Sequence, residues 1–261
     1  MGFLIDRLRI VATFLMEWIS YGMPKEVGPF DREAVFILDG VGNFQLVPLL
    51  TRRVWRGDSS KPGTIFFRWQ CRIPGLVLVD LIRHRRNRVM AARFAREILR
   101  FRREHPATRI HIVAFSGGTA IAVWACELLR GRAGLETLVL ACSALSPTYD
   151  FSAAMHSVRG CYALVSHKDR FILGWGTRTF GTMNRKFSPS GGLIGFRSPV
   201  APASGEIGTF QQIRWTPELK TLGHRGGHTG WASPEFLRTH LYSLLQGRPT
   251  LPIDESALTS T

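Results

Sequence analysis

The chain has 261 residues, of which 45% are hydrophobic, and nothing in it marks a division into separately folding parts, which indicates one globular domain. The 34 Lys and Arg residues outnumber the 19 Asp and Glu residues and leave a formal charge of +15, which favours an anionic partner. The cysteines form no closely spaced pairs, which argues against a zinc site and a disulfide framework and favours reduced thiols in a cytoplasmic protein. They are Cys71, Cys126, Cys142 and Cys161.

Residues 1–30 predict an amphipathic helix packed on the domain. Charged residues leave an uninterrupted apolar run of seven residues, Ile10 to Met16, where about 20 are needed to cross a bilayer. We therefore expect no membrane-spanning segment here, and the alternative is a helix that lies on a membrane surface. The apolar residues that share one face of this helix are Leu4, Leu8, Val11, Leu15 and Ile19.

Residues 34–38 predict a buried strand, which a loop with Gly40 and Gly42 connects to a helix from about Gln45. The alternation of short apolar strands with helices continues along the chain. It predicts an α/β fold with a mostly parallel sheet of about six strands flanked by helices. The further strands are predicted at residues 64–71, 109–115, 137–142, 161–166 and about 212–215, and the further helices at residues 89–104, 119–130 and from Ser233, as N-cap, to Gly247.

Arginine residues are concentrated on the helix predicted at residues 89–104. Arg93, Arg96, Arg100 and Arg103 form a stripe opposite its apolar face. A solvated surface explains this stripe, and the alternative is a surface for phosphate groups of a lipid or nucleic acid. No recognisable nucleic-acid module, P-loop or G-x-G-x-x-G turn accompanies it, so we expect no nucleic-acid partner.

The segment RIHIVAFSGGTAIAVWACELL, residues 109–129, predicts a buried strand, a glycine turn that presents Ser116, and a helix. Ala114 and Gly118 are small, as a sharp turn between strand and helix requires when backbones approach closely. Such a turn presents a serine hydroxyl as a nucleophile. The alternative is an ordinary glycine-rich turn, which any α/β protein can place after a strand.

A serine nucleophile at neutral pH needs a base in contact and a carboxylate that orients the base. Asp169 lies just beyond the strand predicted at residues 161–166 and is the candidate acid. The alternative is a turn-forming aspartate paired with Lys168 or Arg170.

The candidate base lies in the loop before the last helix. His228 is preferred over His224 because glycines flank it and it lies closer to the capped helix, and His224 remains the alternative base. His167, next to the acid, is a third choice. For the histidine that is not the base, we expect a structural role.

An oxyanion intermediate requires two backbone N–H donors, one of them from the residue after the nucleophile. Gly117 supplies the first. The second is expected from the loop at residues 39–42, with Val41 preferred and Gly42 as the alternative, because the glycines allow an amide to point inward. Those glycines alone would also suit a flexible turn.

The elbow A-F-S-G-G at residues 114–118, the loop D-G-V-G at residues 39–42, and the order Ser116, Asp169, His228 resemble the α/β-hydrolase fold serine hydrolases of the esterase and lipase type. The resemblance covers residues 34–246 and implies a three-layer sandwich. Three departures stand out: an alanine begins the elbow where glycine is common, an aspartate opens the loop where histidine is usual, and the first two strands are missing.

This resemblance divides the chain into the N-terminal helix, a hydrolase domain at residues 31–249 and a loose tail at residues 250–261. Within the domain, residues 170–210 form an irregular insertion that resembles a cap or lid. Its aromatic side chains are expected to line or cover an acyl pocket, and the alternative is an insertion that packs on the sheet edge without a chemical role. They are Trp175, Phe180, Phe187 and Phe196.

The sequence thus favours a cytoplasmic serine hydrolase that cleaves a small-molecule ester or acyl compound through an acyl-enzyme, with no metal or organic cofactor. A peripheral contact with an anionic membrane is a further expectation. The alternative is a non-catalytic module of the same fold that binds an anionic membrane or nucleic acid through its arginine faces. The sequence leaves the leaving group, substrate and oligomeric state open.

Overall fold

One β-sheet organises the residues that the computed structural model describes, which are 25–71, 77–197 and 208–254. Its seven strands are β1 (Glu26–Val27), β2 (Glu33–Leu38), β3 (Gly63–Phe66), β4 (Arg109–Phe115), β5 (Leu135–Ala141), β6 (Val158–Val165) and β7 (Thr209–Arg214). Their spatial order is β1-β3-β2-β4-β5-β6-β7. All neighbours from β3 to β7 are parallel. The predicted α/β fold with a mostly parallel sheet is therefore confirmed.

The start of the sheet differs from the prediction, which placed only a helix before residue 34. The two-residue strand β1 pairs antiparallel with β3. Both of its residues are exposed, so no apolar pattern marks it in the sequence. The predicted N-terminal helix falls largely on residues 1–24, outside the described part of the chain.

Helices cover the sheet. Its inner strands are buried on both faces, and every residue of β2 is buried. The longer helices are α1 (Leu46–Trp55), α2 (Val77–Ile82), α3 (His84–Glu104) and α4 (Gly118–Leu129). The shorter ones are α5 (Ser152–Met155), α6 (Thr177–Phe180), α7 (Gly191–Ile194), α8 (Pro234–Phe236) and α9 (Tyr242–Leu245).

Several connections are wound more tightly or more loosely than an α-helix. Between α8 and α9, the π-helical segment Leu237–Leu241 makes the C-terminal helix continuous. Ser233 occupies the predicted N-cap position, but its hydroxyl donates to the Leu222 carbonyl instead of capping the helix. The other such segments are the π-helical Arg170–Gly176 and the 3-10 helices Pro217–Leu222 and Gly230–Ala232.

The arginine stripe lies on α3, which begins five residues earlier than predicted, at His84. Phe94, Ile98 and Phe101, which belong to its apolar face, are buried on one side of this helix. The four stripe arginines are exposed on the other side. Among the helices that the structure describes, none combines the length and the hydropathy that crossing a membrane requires.

The two predicted irregular regions are partly ordered. Within residues 170–197, the described part of the insertion, the π-helical segment and helices α6 and α7 form three helical pieces. The expected loose tail differs at its start: the Asp254 amide donates to the Gln212 carbonyl of β7, and the Asp254 carboxylate pairs with Arg214. The residues after Asp254 lie outside the described part.

Candidate active site

The predicted site residues all lie beyond the carboxyl ends of parallel strands. Ser116 directly follows β4, Asp169 follows β6, and His228 lies in the connection after β7. Leu38, the last residue of β2, pairs with Ala114 of β4, so the loop at residues 39–42 runs beside the serine turn. Because the strands are parallel, these groups meet at one edge of the sheet.

Ser116 occupies the left-handed region of backbone conformation, with φ at +50°. This costs a non-glycine residue roughly 1–2 kcal/mol and is typical of a strained functional turn. Several hydrogen bonds hold the turn. Among them, the Ser116 amide donates to the Ala141 carbonyl at 2.9 Å, and the Thr119 amide donates to the Ser116 carbonyl at 3.1 Å.

Gly118 permits the close approach that the sharp turn requires. A Cβ atom there would lie 2.5 Å from the Asp39 carbonyl oxygen. The tight contact is therefore between the start of α4 and the end of β2, rather than between α4 and its own preceding strand.

Ser116, His228 and Asp169 form one chain of hydrogen bonds. The distance from Ser116 Oγ to His228 Nε2 is 3.0 Å, and the distance from His228 Nδ1 to Asp169 Oδ2 is 2.5 Å. Ser116 and Asp169 are buried, while the His228 side chain keeps 17% of its surface exposed. The Phe115 ring packs against the imidazole with centroids 5.0 Å apart. The imidazole can therefore accept the serine proton while the carboxylate orients it.

Cys142 lies next to His228 and Asp169 and is not among the site residues predicted from the sequence. Its thiol donates to the His228 carbonyl at 3.1 Å and sits beside the Asp169 carboxylate. Burial, together with the negative charge of Asp169, raises the pKa of the Cys142 thiol well above its usual value. The side chains of Cys142, Asp169 and His228 place potential metal-ligand atoms within 4.8 Å of one another. His228 Nδ1 and Asp169 Oδ2 are hydrogen-bonded to each other, and the Cys142 thiol is hydrogen-bonded to the His228 carbonyl.

His224, the alternative base, makes no hydrogen bond to Ser116 within the described residues. It is fully buried, its ring packs edge-on against Trp231 with centroids 4.3 Å apart, and its Nδ1 accepts a hydrogen bond from the Gly226 amide. Burial lowers its pKa to about 4, so it is neutral at physiological pH. His167, the third choice, is exposed and lies against Trp215. Only His228 of the three histidines contacts Ser116.

The loop at residues 39–42 is fastened by the chain that follows β3. The strand predicted at residues 64–71 ends instead at Phe66, and the next residues turn toward the loop. Trp69 Nε1 donates to the Asp39 carbonyl at 2.8 Å, and Gln70 Nε2 donates to the Gly40 carbonyl at 2.6 Å. The loop is therefore held in place, in contrast to a flexible glycine turn.

Asp80, on α2, fixes the far end of this loop and has no counterpart among the predicted site residues. Its carboxylate is fully buried and accepts hydrogen bonds from the amides of Gly42 at 2.9 Å and Cys71 at 2.7 Å. The Gly42 amide is thus engaged. Within the described residues, the amides of Val41 and Gly117 donate to no protein acceptor, and a Cβ at Gly117 would lie 2.7 Å from Val41 Cγ1.

Asp39, which stands where the similar family usually has histidine, serves the helix that follows the loop. Its carboxylate accepts hydrogen bonds from the amides of Leu46 at 2.7 Å and Val47 at 3.4 Å, and so caps the N-terminus of α1. Burial raises the pKa of this carboxyl, and the backbone hydrogen bonds oppose the shift.

The insertion is built onto the loop that follows β5. The Met183 amide donates to the Ala144 carbonyl, and the Gly192 amide donates to the Ser143 carbonyl, both at 3.0 Å. Phe196 is buried in the core, with its ring 4.8 Å from that of Phe151, which agrees with the alternative that this part of the insertion packs on the sheet. The other three aromatic residues expected at a pocket, Trp175, Phe180 and Phe187, are exposed.

The comparisons with known proteins bear on the fold. No protein-family model matches the chain, and no curated protein matches it. Its structure is similar to LpqC, a poly(3-hydroxybutyrate) depolymerase from Bordetella parapertussis, with a TM-score of 0.53 and 12% identity over 91% of this chain and 84% of that chain. This similarity shows the fold: the chain has the α/β-hydrolase fold.

Two other solved structures match over shorter stretches. A carboxylesterase from Mesorhizobium loti matches with a TM-score of 0.34 and 17% identity over 53% of this chain and 68% of its own. The thioesterase domain from the curacin biosynthetic pathway matches with a TM-score of 0.31 and 15% identity over 46% and 39%. This chain spans less than two thirds of the length of several matching structures.

For the ester hydrolysis proposed below, replacing Asp80 with asparagine is expected to lower kcat roughly tenfold to 100-fold, with a smaller change in KM. The amide group keeps the shape but can accept only one of the two backbone hydrogen bonds, so the loop loses its fixed position. Steady-state kinetics measure the effect.

The exposed Asp150→Asn variant is the matched control, because Asp150 also accepts backbone and side-chain hydrogen bonds, but in a turn away from the loop. A loss of thermal stability in Asp80→Asn with kcat unchanged would show that Asp80 supports the fold and does not position the loop.

Proposed function

We propose that this protein is a serine hydrolase that cleaves a carboxylic ester or a related acyl compound. The observation that carries the proposal is the hydrogen-bonded chain from Ser116 Oγ through His228 to Asp169, at 3.0 Å and 2.5 Å, on a turn with a strained serine backbone. A similar fold alone would not carry it, because one fold hosts many functions.

In the proposed mechanism, Ser116 Oγ attacks the acyl carbon while His228 Nε2 accepts its proton. Collapse of the tetrahedral intermediate breaks the bond to the leaving alcohol, which receives that proton from His228. Water then attacks the acyl-enzyme with His228 again as base, releases the acid and restores Ser116. Asp169 holds the imidazole in the productive tautomer and stabilises its charged form.

The oxyanion is proposed to bind the amides of Gly117 and Val41. Three features support this pair: neither amide has an acceptor in the described chain, the two residues are in contact, and the alternative donor Gly42 is engaged by Asp80. The hydrogen bonds from Trp69 and Gln70 hold the loop in one orientation before substrate binds. Donors that are already oriented stabilise the charge of a transition state most effectively.

The proposal includes a small-molecule ester or acyl substrate and a cytoplasmic location. All four cysteines are unpaired, which suits a reducing compartment. A non-catalytic module that binds anions through its arginine faces is not favoured, because such a module has no need for a strained serine hydrogen-bonded to a histidine and a buried carboxylate.

Covalent labelling with a fluorophosphonate probe tests the proposal. The wild-type protein is expected to gain one phosphonyl adduct at Ser116, located by peptide mass mapping, and Ser116→Ala is expected to gain none. Ser152→Ala is the matched control, because Ser152 begins α5 and its hydroxyl donates to Asp150 rather than to a histidine, so this variant should keep the labelling. Folded wild-type protein that remains unlabelled would overturn the serine mechanism.

A further inference from the structure

Four aromatic side chains of the insertion form an exposed surface just beyond Asp169, which we call the aromatic patch. The exposed fractions are 73% for Phe171, 58% for Trp175, 45% for Phe180 and 74% for Phe187. Large aromatic side chains are rarely left in water together unless they meet a partner. The patch therefore needs an explanation that the catalytic residues do not supply.

The patch is continuous. Phe171 stacks on Trp175 with ring centroids 5.9 Å apart, and Trp175 meets Phe180 edge-on at 6.4 Å. The Phe187 ring packs beside Gly181, the residue after Phe180: a Cβ atom at Gly181 would lie 3.6 Å from the Phe187 ring. Two exposed aliphatic residues, Ile172 at 43% and Ile194 at 38%, belong to the same insertion.

The charged side chains in the described part of the insertion are all positive. Residues 170–197 contain five cationic side chains and no Asp or Glu. All five are exposed, and none forms an ion pair within residues 25–71, 77–197 and 208–254. They are Arg170, Arg178, Arg185, Lys186 and Arg197.

The patch is held at the same edge of the sheet as the candidate active site. The π-helical segment that carries Phe171 and Trp175 starts at the residue after Asp169. The Met183 amide bonds to Ala144, whose own amide donates to the Ser116 carbonyl at 3.4 Å. A partner that covers the patch would therefore lie near the candidate active site.

We propose that the aromatic patch and its five cations dock the protein on the surface of an anionic lipid bilayer. Aromatic rings settle at the level of the lipid headgroups, and Lys and Arg side chains reach the negative headgroups from the same surface. The exposed isoleucines favour lipid over single-stranded nucleic acid, because aliphatic side chains enter acyl chains but offer bases no stacking surface. A second copy of the chain is disfavoured by repulsion between two such basic surfaces.

Flotation with lipid vesicles tests the docking without any catalytic turnover, so it is independent of the serine mechanism. The full-length protein is expected to float with vesicles of phosphatidylserine and phosphatidylcholine and to bind vesicles of phosphatidylcholine alone roughly tenfold more weakly. Added salt should weaken the binding to the anionic vesicles. Thermal unfolding checks that each variant is folded.

Two variants remove the two parts of the surface. The double variant Phe171→Ser with Trp175→Ser removes the apolar contact with lipid. The double variant Arg178→Glu with Lys186→Glu reverses the charge that faces the headgroups. Each double variant is expected to weaken binding to anionic vesicles by about tenfold or more. Matched controls lie elsewhere on the molecule. They are Val89→Ser with Leu128→Ser, which removes exposed apolar groups from α3 and α4, and Arg93→Glu with Arg96→Glu on the arginine stripe.

The comparison of variants and controls decides the proposal. Controls that bind like the wild type while both patch variants lose binding support it. Equal binding by the folded patch variants and the wild type overturns it, as does a loss of binding in the arginine-stripe control alone. Two other results would also overturn it, because each assigns the patch to a different partner. One is a dimer in sedimentation that Phe171→Ser with Trp175→Ser abolishes. The other is tighter binding to single-stranded RNA than to vesicles.

Discussion

Replacement of His228 with alanine is expected to lower kcat/KM for ester hydrolysis by roughly 10⁴- to 10⁶-fold. His228 Nε2 is the atom that contacts Ser116 Oγ, at 3.0 Å, and no other histidine contacts that hydroxyl within the described residues. Without a base, the serine must lose its proton to water, and the attack becomes slow. Kinetics with a chromogenic ester measure the loss.

His224→Asn is the matched control for the choice of base. The asparagine Oδ1 can replace His224 Nδ1 as the acceptor for the Gly226 amide, so the buried loop should keep its conformation. We expect turnover within about tenfold of the wild type, because only a positioning contact changes. The reverse pattern, an inactive His224→Asn with an active His228→Ala, would move the role of base to His224.

Replacement of Asp169 with asparagine is expected to lower kcat by roughly 10⁴-fold with little change in the fold. The carboxylate accepts a hydrogen bond from the Nδ1–H group of His228, so Nε2 carries no hydrogen and can accept the serine proton. An amide group donates to Nδ1 instead and favours the opposite tautomer, in which Nε2 carries the hydrogen and cannot act as a base.

The pH dependence of labelling separates this effect from a structural one. Asp169→Asn should be labelled slowly by the fluorophosphonate probe at every pH at which the protein is folded, whereas Asp150→Asn should match the wild type. A labelling rate of Asp169→Asn within tenfold of the wild type would show that another group orients the imidazole.

The strands and the chemical groups at their ends could be predicted because each depends on local sequence. The apolar run before Ser116 and the glycines after it specify a strand and a turn within ten residues, and β4 has the predicted bounds. Asp169 and His228 were placed by the requirement that partners of a serine follow later strands. The structure brings these three side chains together, although their catalytic roles remain proposals.

The residues that the sequence did not predict act over long separations. Asp80 bonds to the Gly42 amide across 38 positions of the chain, and a single buried carboxylate leaves no periodic signal. Trp69 and Gln70 fit the alternation of a strand, but β3 ends at Phe66, and both side chains reach the loop 30 residues away. Phe196 is buried and Phe187 is exposed, but no local pattern in the sequence distinguishes these two aromatic residues.

Asp39 limits how this protein could be altered by exchange of segments with other proteins of the α/β-hydrolase fold. Its carbonyl is held by Trp69, and its carboxylate caps α1, so the loop, the segment after β3 and the helix form one mechanical unit. A loop transplanted from a protein of that fold with histidine at this position would lack the carboxylate that caps α1. A functional chimera would have to carry the stretch from residue 39 to residue 80 as a single block.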